Sequence, residues 1–173
     1  MAAGEKYTID LLKIKHIADD YRFEVSNRFF ESFEGSTIKE GNITVSVSIE
    51  KTANTFDTHI TAEGTVKVEC DRCLNLIDFP VKGELELVVK LIEGHKEDED
   101  EIVYVPMGEG VFNATQHIYD CIYLALPIRK TCEEAGVPEG CDSKVIEKLN
   151  RVEYGNDDDG AEDPRWDKLK DLL

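Results

Sequence analysis

The residues with most chemical potential in this chain are its thiols. Cys70-Asp71-Arg72-Cys73 sets two cysteines two residues apart. A turn of that length points both sulfurs the same way, so both thiolates can meet one small ion. Zinc asks for four such ligands in a tetrahedron, with Zn–S near ~2.3 Å. Cys132 and Cys141 bracket an irregular segment whose Gly136, Pro138 and Gly140 let the chain loop back on itself. Their spacing is looser than a second CxxC. The expectation is a closed four-thiolate zinc site of Cys70, Cys73, Cys132 and Cys141, clipping the strand end near residue 70 to the segment after a helix. Such a site would be structural, because four thiolates leave no open position for the water or substrate that a catalytic zinc requires.

A different chemistry is open to the same pair. Cys70 and Cys73 could act as a reversible dithiol in a thiol redox or metal-sensing module, releasing zinc on oxidation. A thioredoxin-like motif belongs at a strand-to-helix turn, whereas this one falls between two strand-like segments. Cys121 lies on the apolar face of a helical pattern, where a free cysteine commonly serves as a small buried hydrophobe, and it reads as core. How that helix docks decides whether Cys132 or Cys121 supplies the third ligand. His16, His59, His95 and His117 are scattered without partner spacing. No phosphate-cradling glycine loop, HExxH or nucleophile elbow occurs. The chain does not read as an enzyme.

The elements that must position the thiols are mostly strands. Ile43, Val45, Val47 and Ile49 alternate with polar residues, the period of two of a strand with one buried face. A second alternation runs through Phe56, Ile60 and Ala62, then Val66, Val68 and Cys70, with Gly64 as an expected bulge or bend. A third carries Ile77, Phe79, Val81, Leu85, Leu87, Val89 and Leu91, with Gly83 inside it. Residues 5–15 read as a weaker first strand, and Ser26 to Phe33 as a short helical turn. Lys96 to Glu101 is a charge run expected to be a solvated loop. Ile118, Cys121, Ile122 and Ala125 mark one face of an amphipathic helix over 115–126, closed by Pro127. Asp142 or Ser143 could cap a further helix with Val145, Ile146 and Leu149 inward. The expected fold is α+β: an antiparallel β-rich body, a meander or partly closed barrel-like sheet, with one amphipathic helix packed on it and short C-terminal helices. The expected organisation is one domain over 1–152, an acidic flexible linker over 153–162 around Asp157-Asp158-Asp159, and a short helix over 163–173 carrying Trp166.

A chain of 173 residues can bury a core without disulfides. Its net charge of −17 argues against a protein that coats bare nucleic acid or an anionic membrane, and favours a basic partner or simple solubility. No apolar run approaches the ~18 residues of a membrane-spanning helix. Met1-Ala2-Ala3-Gly4-Glu5-Lys6 lacks a hydrophobic signal core. Five cysteines in that setting suit a reducing, cytoplasmic compartment.

Four features occur in one order: Val68-Glu69-Cys70-Asp71-Arg72-Cys73-Leu74 followed by Phe79-Pro80-Val81; an acidic stretch ahead of a helix ending Leu124-Ala125-Leu126-Pro127; the later cysteines; and Asp163-Pro164-Arg165-Trp166 with Leu169 and Leu172. In these the chain resembles the YceD-like large ribosomal RNA subunit accumulation proteins of bacteria and plastids. The likeness spans about residues 40–173. The resemblance implies a small α+β protein, without known catalytic activity, associated with synthesis, processing or accumulation of large-subunit rRNA. Where many members place Pro and His or Cys after the helical Leu-Pro, this chain reads Ile128-Arg129-Lys130-Thr131-Cys132. The expected function is therefore a non-enzymatic factor in large ribosomal subunit biogenesis, binding a basic ribosomal protein, large-subunit pre-rRNA, or both. Arg72, Lys82, Arg129, Lys130, Lys144, Lys148 and Arg151 flank the cysteine segments and could gather into a local basic face for RNA.

Overall fold

The alternating segments become long strands in the computed structural model, which describes residues 6–14 and 18–151. The linker and the Trp166 helix expected beyond residue 152 lie outside the described residues, as does His16. β3 (Glu40–Thr52), β4 (Thr55–Glu69) and β5 (Leu76–Ile92) form an antiparallel meander. Ile43, Val45, Val47 and Ile49 of β3 are all fully buried on one face. The expected first strand shrinks to β1 (Thr8–Asp10), because Asp10 caps a 3-10 turn over Leu11–Lys13 by accepting the Leu12 N–H. β2 (Ala18–Val25), which is not among the expected elements, pairs antiparallel with β3 and turns Tyr21, Phe23 and Val25 inward. α1 (Asn27–Phe30) is the short turn expected near Phe29 and Phe30, both buried.

The sheet is not antiparallel throughout. β6 (Ile102–Pro106), which follows the charge run, pairs parallel with the end of β5, giving the order β2-β3-β4-β5-β6. β7 (Val111–Asn113) pairs with β1 in a separate two-stranded sheet. The amphipathic pattern forms α2 (Thr115–Leu124), which buries Ile118, Cys121 and Ile122 against β4 and β5. A cluster of rings ties α1 to α2: Tyr7 meets Phe29 edge-on at 5.0 Å, and Phe33 stacks on Tyr119 at 4.1 Å.

Two glycines are explained by close approach. The ladder runs unbroken through Gly64, paired with Ile43 and Val81, so no bulge occurs there. A Cβ at Gly64 would instead fall 2.2 Å from the Asn42 carbonyl oxygen. At Gly83 a Cβ would fall 2.4 Å from the Cys121 carbonyl oxygen, so this glycine is the seat of α2 on the sheet.

α3 (Ser143–Arg151) departs from expectation. Asp142 caps it, accepting the Lys144 N–H at 2.8 Å, but none of its residues is fully buried and Leu149 is 50% exposed. Val145 alone of the three expected inward residues packs against the core cluster. Among the described residues nothing covers Leu149, so that end of the helix has no apolar burial to hold it.

Candidate metal centre

β4 ends at Glu69 and delivers Cys70 into a tight knuckle before β5 begins. The Leu74 N–H donates to the Cys70 carbonyl at 2.9 Å, with Leu74 in the left-handed region at φ 61. The Cys70 N–H donates to the Asn75 carbonyl at 2.9 Å. This turn sends the Cys70 and Cys73 side chains to one side.

The opposing half comes from the loop after α2. Thr131 caps its first turn, where the Ala135 N–H meets the Thr131 carbonyl at 2.9 Å, and the Val137 N–H closes on the Cys132 carbonyl at 2.9 Å. Glu134 organises the entrance: one oxygen accepts Arg129 Nε at 3.1 Å, and the other accepts the Thr131 N–H and hydroxyl, each at 3.2 Å. The Arg129 guanidinium holds the Glu134 carboxyl below its ordinary range.

Asp71 locks the two halves together. Its N–H donates to the Lys130 carbonyl at 2.8 Å, its carboxylate accepts the Lys130 N–H, and Lys130 Nζ stands 3.5 Å from the same carboxylate. Sequence reasoning passed over Asp71 and Glu134, since an acid between two cysteines carries no pattern until its partner 59 positions away is known.

The sulfurs of Cys70, Cys73, Cys132 and Cys141 all lie within 4.8 Å of one another. Cys70 and Cys141 are 3.8 Å apart, Cys73 and Cys132 3.6 Å. A metal held tetrahedrally by thiolates at ~2.3 Å spaces its ligands about 3.8 Å apart. The four cysteines could therefore hold one metal ion. Cys70, Cys73 and Cys132 are buried and Cys141 is partly exposed. Burial pushes the Cys70 thiol up, but the backbone N–H groups of Cys73, Arg72 and Cys132, with the Cys73 thiol, outweigh it and bring it down to about 6. N–H groups aimed at a sulfur in this way favour its charged form. Burial and the neighbouring sulfurs hold Cys132 protonated, and burial raises Cys141 as well.

Cys121 is excluded from the set. Its thiol points to the Ile60 carbonyl at 3.8 Å, and burial, reinforced by Glu84, raises it to about 11. Three of the seven cations expected on a basic face are engaged in ion pairs: Lys130 with Asp71, Arg129 with Glu134 and Arg151 with Glu147. Among the described residues no helix is long and apolar enough to cross a membrane, which says nothing of crossing by strands.

The chain is a sheet-based α+β protein with four cysteines placed so that they could hold one metal ion. The family model described as large ribosomal RNA subunit accumulation protein YceD matches residues 58–173, and the chain belongs to this family. The family name associates it with accumulation of the large ribosomal RNA subunit. The match opens within β4, so β1, β2 and β3 lie ahead of it. No curated protein and no solved structure matches the chain.

Proposed function

We propose that this protein is a non-enzymatic, cytoplasmic factor in large ribosomal subunit biogenesis, acting by binding a basic ribosomal protein or pre-rRNA. The family match over residues 58–173 carries this reading. Of the two partners, the basic ribosomal protein is favoured by electrostatics. The net charge is −17, and two cations near the clip, Arg129 and Lys130, are engaged in internal ion pairs. The direct test is a pull-down with the full chain, with and without nuclease. Retention of a ribosomal protein after nuclease treatment supports the protein partner; retention lost with the RNA supports pre-rRNA. Retention of neither above background overturns the reading.

The four cysteines hold a structural Zn²⁺ in the same proposal. Thiolate-rich tetrahedral sites favour zinc, and with four protein ligands the ion would leave no position for a substrate. When bound, it supplies a cross-link between the β4–β5 knuckle and the loop before α3. Elemental analysis of protein purified without added metal is expected to give close to one zinc per chain. The lowered Cys70 thiol favours one second reading, a reversible dithiol. A metal-free protein whose disulfide cycles readily would replace the structural zinc with that chemistry.

A further inference from the structure

One margin of the main sheet is only half covered. β5 pairs with β4 from Leu76 to Lys90, but β6 pairs only with Val88–Ile92. Among the described residues, the stretch of β5 ahead of Val88 has no strand on its outer side. Its open backbone groups can be assigned. The Val88 N–H donates to the Glu101 carbonyl at 2.8 Å, and the Leu91 N–H turns the other way, to Asn54 at 3.1 Å. Even-numbered residues of β5 thus face outward, so Lys82, Glu84 and Glu86 present their N–H and C=O groups to the open edge. Pro80 belongs to the same set, and a proline with no N–H to give is tolerated at such a position.

This edge is the floor of a groove of about 550 Å³. Asp120 and the 73%-exposed Leu124 of α2 form one wall, and Asp100 and Glu101, ahead of β6, the other. With Glu84 and Glu86 the lining carries five carboxylates and no lysine or arginine. His59 Nδ1, 3.5 Å from Glu86, is the one side chain paired with them from β4.

We propose that this open edge receives an extended, basic segment of a partner protein as an added strand in line with β6. Backbone pairing supplies the attachment, and the carboxylates select lysine- or arginine-rich sequence. The five carboxylates of the groove repel a phosphate backbone, and an acidic peptide likewise. The inference narrows the functional reading above and rests on it for the partner's source, a basic ribosomal protein.

The test uses the full chain and amide hydrogen exchange. The probe is a short synthetic peptide alternating lysine with threonine; the control replaces each lysine with glutamate. Free protein is expected to exchange rapidly at Lys82, Glu84 and Glu86. The lysine peptide slows those three amides by about tenfold or more, and the glutamate peptide leaves them unchanged. Glu84→Pro, which has the same outward parity as Pro80, weakens binding by about tenfold. A double variant, Glu84→Lys with Glu86→Lys, keeps every backbone group and loses binding as well. Equal protection by both peptides, protection elsewhere only, or no protection overturns the proposal. Proteins stripped by salt from large ribosomal subunits then replace the peptide. If the peptide protects the edge and none of these proteins binds, the edge assignment stands and the ribosomal reading falls. If a ribosomal protein binds while the edge exchanges freely and Glu84→Pro has no effect, the ribosomal reading stands and the edge assignment falls.

Discussion

Along β3, β4 and β5 nearly every second side chain is buried, and α2 adds Ile118, Cys121 and Ile122 to the same core. Between Ile128 and Arg151 only Thr131 and Cys132 are buried. The two regions touch through Asp71 and Lys130, yet they are stabilised by different physics. The sheet removes apolar area from water along its whole length, at roughly 25 cal/mol per Å². The clip region removes little. It relies on turns, ion pairs such as Arg129–Glu134, and four sulfurs that converge. A region of that kind is stable in proportion to what binds its ligands, so the ion proposed for it would act as its core.

The largest effect expected from this contrast is metal removal. Binding free energies of structural zinc reach about 10 kcal/mol or more and are coupled to folding. Chelation, or Cys73→Ser, should therefore release the ion and raise amide exchange between about 128 and 151, with β3 to β5 still protected. Exchange unchanged in that segment would show that the clip stands without an ion and would erase the contrast. Phe56→Ala comes next. Phe56 is fully buried, and the truncation should cost about 3–5 kcal/mol, read as a lowered urea midpoint, with zinc content per folded chain preserved. Simultaneous loss of metal would mean that the two regions unfold as one unit.

Gly83→Ala should cost about 1–3 kcal/mol, because its Cβ meets the Cys121 carbonyl oxygen and pushes α2 off its seat. A circular dichroism melt checks this, and an unchanged melting temperature would show that α2 is not seated there. The last expectation is the pH dependence of the metal-free chain. Cys70 is held at about 6 against an ordinary 9.0, so between those values the unfolded chain binds more protons and stability rises with pH. Cys132 and Cys141 are raised, so the folded chain keeps their protons longer and stability falls as pH climbs past the ordinary thiol range. Urea midpoints across this range are expected to pass through a maximum. A flat profile would mean that the thiols do not converge until the ion arrives.

How much of this was legible beforehand differs between the two regions. The alternation of Ile43, Val45, Val47 and Ile49 announces β3 directly, since period two is a property of neighbouring residues. Cys70 and Cys73 are likewise a local signal, and Cys132 and Cys141 could be nominated because loops that return carry Gly and Pro. Asp71 could not be nominated, as its role exists only where the knuckle meets Lys130. The inward α3 face differs from expectation for a related reason: Leu149 sits at helical spacing, but among the described residues no element covers it.

From its own chemistry the sequence determined the three long strands β3, β4 and β5, the helix over Ile118 to Ala125, the candidate ligands and the acidic balance, because each depends on residue type and on spacings of a few positions. Tertiary structure alone decided that β6 runs parallel beside the end of β5 and, among the described residues, leaves the rest of that edge without a strand. It alone set Gly83 beneath Cys121, kept Cys121 away from the other thiols and brought four sulfurs within 4.8 Å. These are contacts between residues far apart in the chain. Their energies appear only when loop closure and packing have fixed which surfaces meet.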